Sequence, residues 1–237
     1  MSSTHHLAAV ALAPVLFAQG LYVRRVTPRL AEPPGDRGGC AGAGPALRLL
    51  IAGDSAAAGV GAPDQASALS GRLVAALAPH ARVTWRLVAK TGDKLRDTVA
   101  QLERISAEPF DIAVLSTGVN DVTGGTSRNG WLGAQQRLAE LLTSRFGVRR
   151  ILLSAVPPMQ AFTALPNPLA WHLGRAAAGL NDTTRQWASG RVDCEFVESP
   201  FTLEPELLAA DGFHPGPAAY ARWAMQLAER VHRVIAT

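Results

Sequence analysis

Apolar residues recur along the chain in two alternating rhythms. Short stretches rich in apolar residues at 47–52, 83–89, 112–116, 151–155 and 192–197 read as strands, the first of them buried and the third apolar almost throughout. Between them the spacing changes to every third or fourth residue, the signature of a helix with one core-facing stripe. Leu69, Leu73 and Leu77 form one such stripe, with Asp64 placed to cap its helix and Pro79 to end it. Leu95, Val99, Leu102 and Ile105 form the next; 131–146 follows and stops at Gly147, a residue suited to a left-handed C-cap. A fourth helix ends near Trp187. A fifth starts at Pro217, favoured at a first helical position, and carries Tyr220, Leu227, Val231 and Val234. Five strands alternating with five helices predict an α/β domain, a five-stranded parallel sheet with helices on both faces. In such sheets the loops leaving the carboxyl ends of the strands build the site.

The N-terminal segment departs from this rhythm. Residues 7–23 are apolar and uncharged but contain Pro14, Gln19 and Gly20, and Arg24, Arg25 and Arg29 follow. The segment is at the short limit for a membrane span. Three readings stay open: a short anchor, a helix packed on the domain, and a cleaved export signal. The arginines after the apolar run favour a cytoplasmic body, attached to the inner face of the membrane if the helix associates with it; export is the alternative. Residues 27–46 are rich in Pro and Gly and read as a linker, so the organisation is 1–26 helix, 27–46 linker and 47–237 domain.

Composition changes the picture little. With 237 residues, 48% of them hydrophobic, the chain can bury one sizeable core. The net charge is +4, and the only lysines are Lys90 and Lys94. The arginines are scattered without interleaved aromatics, which argues against a nucleic-acid partner and leaves anionic lipid as a candidate surface. Cys40 and Cys194 have no metal-ligand spacing and make no disulfide framework; free thiols are expected, with no metal and no cofactor.

The candidate chemistry sits in the loops. Gly53-Asp54-Ser55 ends the first strand and opens a helix, placing Ser55 where free N–H groups favour a developing negative charge. An ordinary capping serine would look the same. A serine hydroxyl needs a base, and of six histidines only His214 has a carboxylate, Asp211, three residues earlier in a turn. Asp211 can fix the imidazole tautomer and leave the other nitrogen for Ser55. Pro215 restricts His214 to extended backbone. Donors for an oxyanion are the N–H of Ser55, the N–H of Gly92 and the side-chain amide of Asn120. Each of these residues is also at home in a plain turn.

As an ordered set, these residues resemble the GDSL esterase/lipase superfamily, also called SGNH hydrolases. Gly53-Asp54-Ser55 with Gly59 matches its first block, and Gly92 its second. Gly118-Val119-Asn120-Asp121 matches the third, and Asp211-Gly212-Phe213-His214 the last. The resemblance spans about residues 47–235. It implies a flavodoxin-like three-layer α/β/α fold and a metal-free ester hydrolase. Ser55 would be acylated, His214 would act as base then acid, Asp211 would orient it, and Ser55, Gly92 and Asn120 would form the oxyanion hole. Within the family the layout looks most like single-domain bacterial lysophospholipase and acyl thioesterase enzymes. A carbohydrate O-acetyl esterase or acyltransferase, or an inactive ligand-binding member, are the alternatives.

The substrate is expected to be a small acyl ester or lipid. Met159, Phe162, Leu165 and Trp171 fall in an apolar segment after the fourth strand and are the candidate lining of an acyl channel, or else core. Residues 201–210 are candidates for a second wall. Membrane-surface association, if any, would run through residues 7–23. Oligomeric state is not written in the sequence.

Overall fold

The computed structural model describes residues 3–200 and 204–235. The strands are β1 (Gly38–Ala41), β2 (Ala46–Gly53), β3 (Arg82–Ala89), β4 (Ile112–Ser116), β5 (Arg150–Ser154) and β6 (Cys194–Val197). They form one sheet in the order β1-β3-β2-β4-β5-β6. β2 to β6 are parallel and correspond to the five expected strands, while β1 adds an antiparallel edge on β3. The sheet is therefore mixed and six-stranded rather than parallel and five-stranded. The extra strand lies inside the stretch read as a linker. Gly38-Gly39-Cys40-Ala41 shows no apolar pattern and is mostly exposed; its backbone pairs with β3, and the Trp85 ring covers Gly39. A Cβ on Gly39 would come within 2.5 Å of that ring. The fifth run is shorter than its sequence suggested: β6 begins at Cys194, and Val192 is 93% exposed.

The helices are α1 (Ser3–Val26), α2 (Ser55–Ala58), α3 (Leu69–Leu77), α4 (Leu95–Arg104), α5 (Val119–Thr123), α6 (Arg128–Phe146), α7 (Leu169–Ser189) and α8 (Pro217–Ile235). α3, α4, α6, α7 and α8 are the five expected from periodicity. α2 and α5 are single turns too short to show a stripe. Asp64 caps a turn through the Ser67 N–H instead of α3, which starts at Leu69.

Alternation along the strands divides the core in two, because successive side chains point to opposite faces. Leu47, Leu49 and Ile51 of β2, with Ile112 and Val114, pack against α3 and α8. Leu50 and Ala52, with Ala113, Leu115, Ile151 and Leu153, pack against α4, α6 and α7. That is the three-layer α/β/α arrangement. β3 and β4 flank β2 on opposite sides, so the chain reverses its winding at the carboxyl ends of β2 and β4, where α/β sheets open a crevice.

α1 lies against α7. Val23 is buried, Leu16 packs on the α7-side core, and Gln19 donates to the Asn167 carbonyl (2.7 Å) and accepts from the Leu169 N–H (3.0 Å). Among the described residues, no helix is long and apolar enough to cross a membrane.

Candidate active site

Gly53 closes β2 beside β4. A Cβ there would stand 1.8 Å from the Ser116 carbonyl oxygen, so only glycine lets the two backbones approach. Asp54 N–H then donates to that same carbonyl (3.0 Å), and the Asp54 side chain caps α2 by accepting from the Ala56 N–H (3.1 Å). Ser55 is therefore the first residue of a turn that Gly59 ends in the left-handed region. Ala57 and Ala58 are fully buried, which lets this turn sit tight on the sheet.

The opposite side of the crevice comes from the loop between β6 and α8. Asp211 is buried, and its Oδ1 accepts from the N–H groups of Phe213 and His214 (3.0 Å each). Its Oδ2 lies 2.6 Å from His214 Nδ1, and His214 Nε2 lies 3.0 Å from Ser55 Oγ. The loop is tied down around this chain: the Ala209 N–H donates to the His214 carbonyl (2.8 Å), and Leu208 bridges to Pro215. With Nδ1–H directed at a carboxylate, Nε2 is left to accept the serine proton.

Two more loops converge. Asn120 lies on α5 and donates through Nδ2 to the Asp93 carbonyl (3.0 Å), joining the loop after β3 to the loop after β4. Asp121 repeats the tie, accepting from the Leu95 N–H (2.9 Å) and the Thr126 hydroxyl (3.0 Å). An amide has two N–H bonds, so one donor of Asn120 holds the loop and the second is left over. Gly92, next to Asp93, is exposed with φ +90°, and a Cβ there would meet nothing within 4 Å. Its requirement is the positive φ, not space. Gly118 is different: besides φ +118°, a Cβ would strike Val156 at 2.5 Å.

The model of the GDSL-like Lipase/Acylhydrolase family matches residues 51–222, from within β2 into α8. The chain belongs to this family. None of the curated proteins matches it. Solved structures are similar in fold at low identity. A lipolytic protein of the G-D-S-L family from Veillonella parvula is 14% identical, with TM-score 0.62 over 77% of this chain and 97% of that one. A catalytic mutant of an acetylxylan esterase from Geobacillus stearothermophilus is 19% identical, with TM-score 0.61 over 80% and 95%. An alpha/beta hydrolase enzyme from the metagenome of Lake Arreo, Spain, is 18% identical, with TM-score 0.58 over 80% and 95%.

In this GDSL-family chain a cavity of about 740 Å³, open mouth included, adjoins Ser55 and His214. Its walls are mainly apolar: Ala56, Val119, Pro157, Pro158, Phe162, Leu207, Leu208, Phe213 and Trp223. Of the four residues proposed from sequence as acyl-channel lining, Phe162 is in the wall, tilted against Phe213 with ring centroids 4.7 Å apart. The other three are not. Met159 heads a tight 3-10 turn, Met159–Ala161, that sends its side chain into the core, where it is fully buried. Leu165 is buried in the same core. Trp171 stands on α7, whose Leu169, Ala170 and Leu173 face inward, so its ring is turned outward and is 38% exposed. The proposed second wall is present in Leu207 and Leu208; residues 201–203 lie outside the described residues. Sequence reasoning missed Phe213 and Trp223. Phe213 was in view as the spacer of Asp-x-x-His, and Trp223 sits on the buried stripe of α8, indistinguishable from core by spacing.

The buried carboxyls differ in charge state. Burial pushes Asp211 upward, but the hydrogen bonds from the His214 ring and from the His214 and Phe213 N–H groups outweigh it and hold it below the usual range. Asp54 has fewer partners. Burial pushes its carboxyl up to about 7, opposed by the Ala56 N–H and the nearby His214 and reinforced by Asp121. Asp54 therefore stabilises the fold as the neutral acid. That contribution is fully present below its ordinary value of 3.8 and is lost as pH rises through about 7. Asp54→Asn keeps the capping acceptor and removes the titration. Relative to wild type it is expected to gain stability across that interval, on the order of 4 kcal/mol by its upper end. Urea unfolding of both proteins between pH 4 and 8 measures this; parallel curves would reject it.

Proposed function

We propose that this GDSL-family protein is a serine ester hydrolase cleaving carboxylic or thio esters of acyl chains through an acyl-Ser55 intermediate. The observation that carries the reading is the chain Asp211–His214–Ser55, with links of 2.6 and 3.0 Å, at the mouth of an apolar cavity. Ser55 Oγ attacks the acyl carbonyl as His214 Nε2 takes its proton. The carbonyl oxygen, now negative, is stabilised by the N–H groups of Ser55 and Gly92 and the uncommitted N–H of Asn120. Collapse of the intermediate expels the alcohol or thiol, which receives the proton from His214. A water molecule, deprotonated by the same imidazole, releases the acid and restores Ser55.

The walls argue for an acyl chain rather than a sugar in the cavity, since carbon chains gain from leaving water and sugar hydroxyls need partners. Each methylene buried contributes about 0.8 kcal/mol, roughly a fourfold factor. The value of kcat/KM for p-nitrophenyl esters is expected to rise from acetyl through butanoyl to hexanoyl. Phe162 is buried as well as lining the cavity, so Phe162→Ala, which removes apolar wall without burying a charge, should flatten that rise while largely sparing acetyl ester turnover. A preference for acetyl in the wild type would reject the acyl cavity and favour an O-acetyl esterase.

A further inference from the structure

α1 has a face that nothing in the fold covers. Its inner side is fixed by Leu16, Gln19 and Val23, which follow one another at helical spacing and meet the core and the start of α7. The opposite side should then be polar, as on an ordinary surface helix. It is not. Phe17 is 70% exposed and Leu21 53%, one helical turn apart on that side, with Tyr22, 62% exposed, at its flank. They account for three of the nine large apolar side chains exposed among the described residues; Val15 and Val26, 45% and 50% exposed, fall on the Gln19 side of the helix. Exposed apolar side chains grouped on one side of a helix mark a surface that meets something.

Charge decides what it meets. The 24 residues of α1 include no aspartate or glutamate. Arg24 and Arg25 close the helix, exposed, and Arg29 follows, exposed as well. Phe17, Leu21 and Arg24 succeed one another at intervals of a helical turn, so cation and apolar side chains share one side. The nearest downstream acid, Glu32, is engaged by Arg37 and by Thr91. Two copies of α1 packed face to face would give these arginines no carboxylate from either helix. An anionic lipid surface supplies both needs: hydrocarbon for the rings and phosphate for the guanidiniums. With no described helix able to cross a membrane and its inner side held by the protein, α1 would lie in the interface rather than span it.

We infer that the outer face of α1 docks this protein on an anionic lipid bilayer, with Phe17, Leu21 and Tyr22 inserted at headgroup depth and Arg24, Arg25 and Arg29 on the lipid phosphates. The inference does not depend on the ester chemistry.

Vesicle sedimentation tests it. The full chain carrying Ser55→Ala, which removes any lipid turnover, is mixed with vesicles of phosphatidylcholine alone or with roughly 30 mol% phosphatidylglycerol. Strong binding is expected only to the anionic vesicles. R24Q/R25Q should weaken it by roughly fivefold per arginine and reduce its salt sensitivity. F17S/L21S/Y22S should weaken it more than tenfold with an unchanged melting temperature, since these side chains support nothing inside. The inference is overturned if the protein stays in the supernatant with both vesicle types. It is also overturned if the arginine and apolar variants bind as the parent does. A dimer that F17S/L21S/Y22S dissociates would assign the face to a second copy instead.

Discussion

Ser55→Ala is expected to lower kcat for a p-nitrophenyl ester by roughly 10⁶-fold, the scale seen when a serine nucleophile is removed from a unit of this kind. The loss should fall on kcat and spare KM. The Ser55 hydroxyl adds little to substrate binding, while the cavity and the donors of Gly92 and Asn120 are untouched. For the same reason a residual acceleration over water, about 10³-fold, should persist. Folding should be preserved: Ser55 is the first residue of α2, its hydroxyl is bonded to His214, and the capping contact belongs to Asp54. A fluorophosphonate probe read by intact mass gives the sharper result. Wild type should gain one adduct and Ser55→Ala none. An adduct on the variant, or a rate within tenfold of wild type, would move the nucleophile elsewhere.

That Ser55 stands out in the sequence has a physical basis. β4 is buried along its whole length and β2 is apolar apart from Arg48, so both stand out as apolar runs, and the residues that follow them must lie at the same sheet edge. Ser55 and Asn120 could therefore be placed near one another without a single distance. Asp211 and His214 on their own could have been a plain capped turn; they were legible because they follow Gly53-Asp54-Ser55, Gly92 and Gly118-Val119-Asn120-Asp121 in a fixed order. Legibility fails where structure is imposed by a neighbour. β1 is a strand because β3 offers it hydrogen bonds, and nothing in Gly-Gly-Cys-Ala announces that. The cavity wall fails for a second reason. Met159, Phe162 and Leu165 share composition, segment and a place in the buried core, yet the 3-10 turn and the turns after it leave only Phe162 with a side on the cavity. Hydrophobicity says that a residue leaves water; the direction in which it does so is set by loop backbone, which has no period to read. α1 is a third kind of case. Its apolar character was plain, but the docking face and the bare face separate only once Gln19 is seen holding Asn167 and Leu169.

Asp211→Asn should cost roughly 10⁴-fold in kcat, the scale known for this change in serine triads, by reversing a proton rather than by emptying a position. The asparagine oxygen can still accept from the N–H groups of Phe213 and His214, so the turn that carries the histidine should form. Its amide nitrogen then faces His214 Nδ1 as a donor. Nδ1 must become the acceptor, the ring proton moves to Nε2, and Nε2 now presents a hydrogen to Ser55 Oγ. A base that already holds its proton cannot take another from the serine. Asp211→Ala should lose activity on a similar scale and destabilise the fold as well, because two partly buried N–H groups would lose their acceptor, at up to about 1–3 kcal/mol each. Stability against pH separates the charge from the shape. The wild-type Asp211 carboxyl is depressed, so the stability it contributes is present above the ordinary aspartate value of 3.8 and disappears as pH falls through its folded value. Wild type should therefore exceed Asp211→Asn in stability at neutral pH by about 1.5–3 kcal/mol, the worth of a hydrogen bond to a charged group. The two unfolding curves should begin to draw together only below pH 3.8 and meet as pH falls through the depressed folded value. A constant gap down to acid would mean that Asp211 holds His214 by geometry alone, and the tautomer argument for its catalytic part would fail with it.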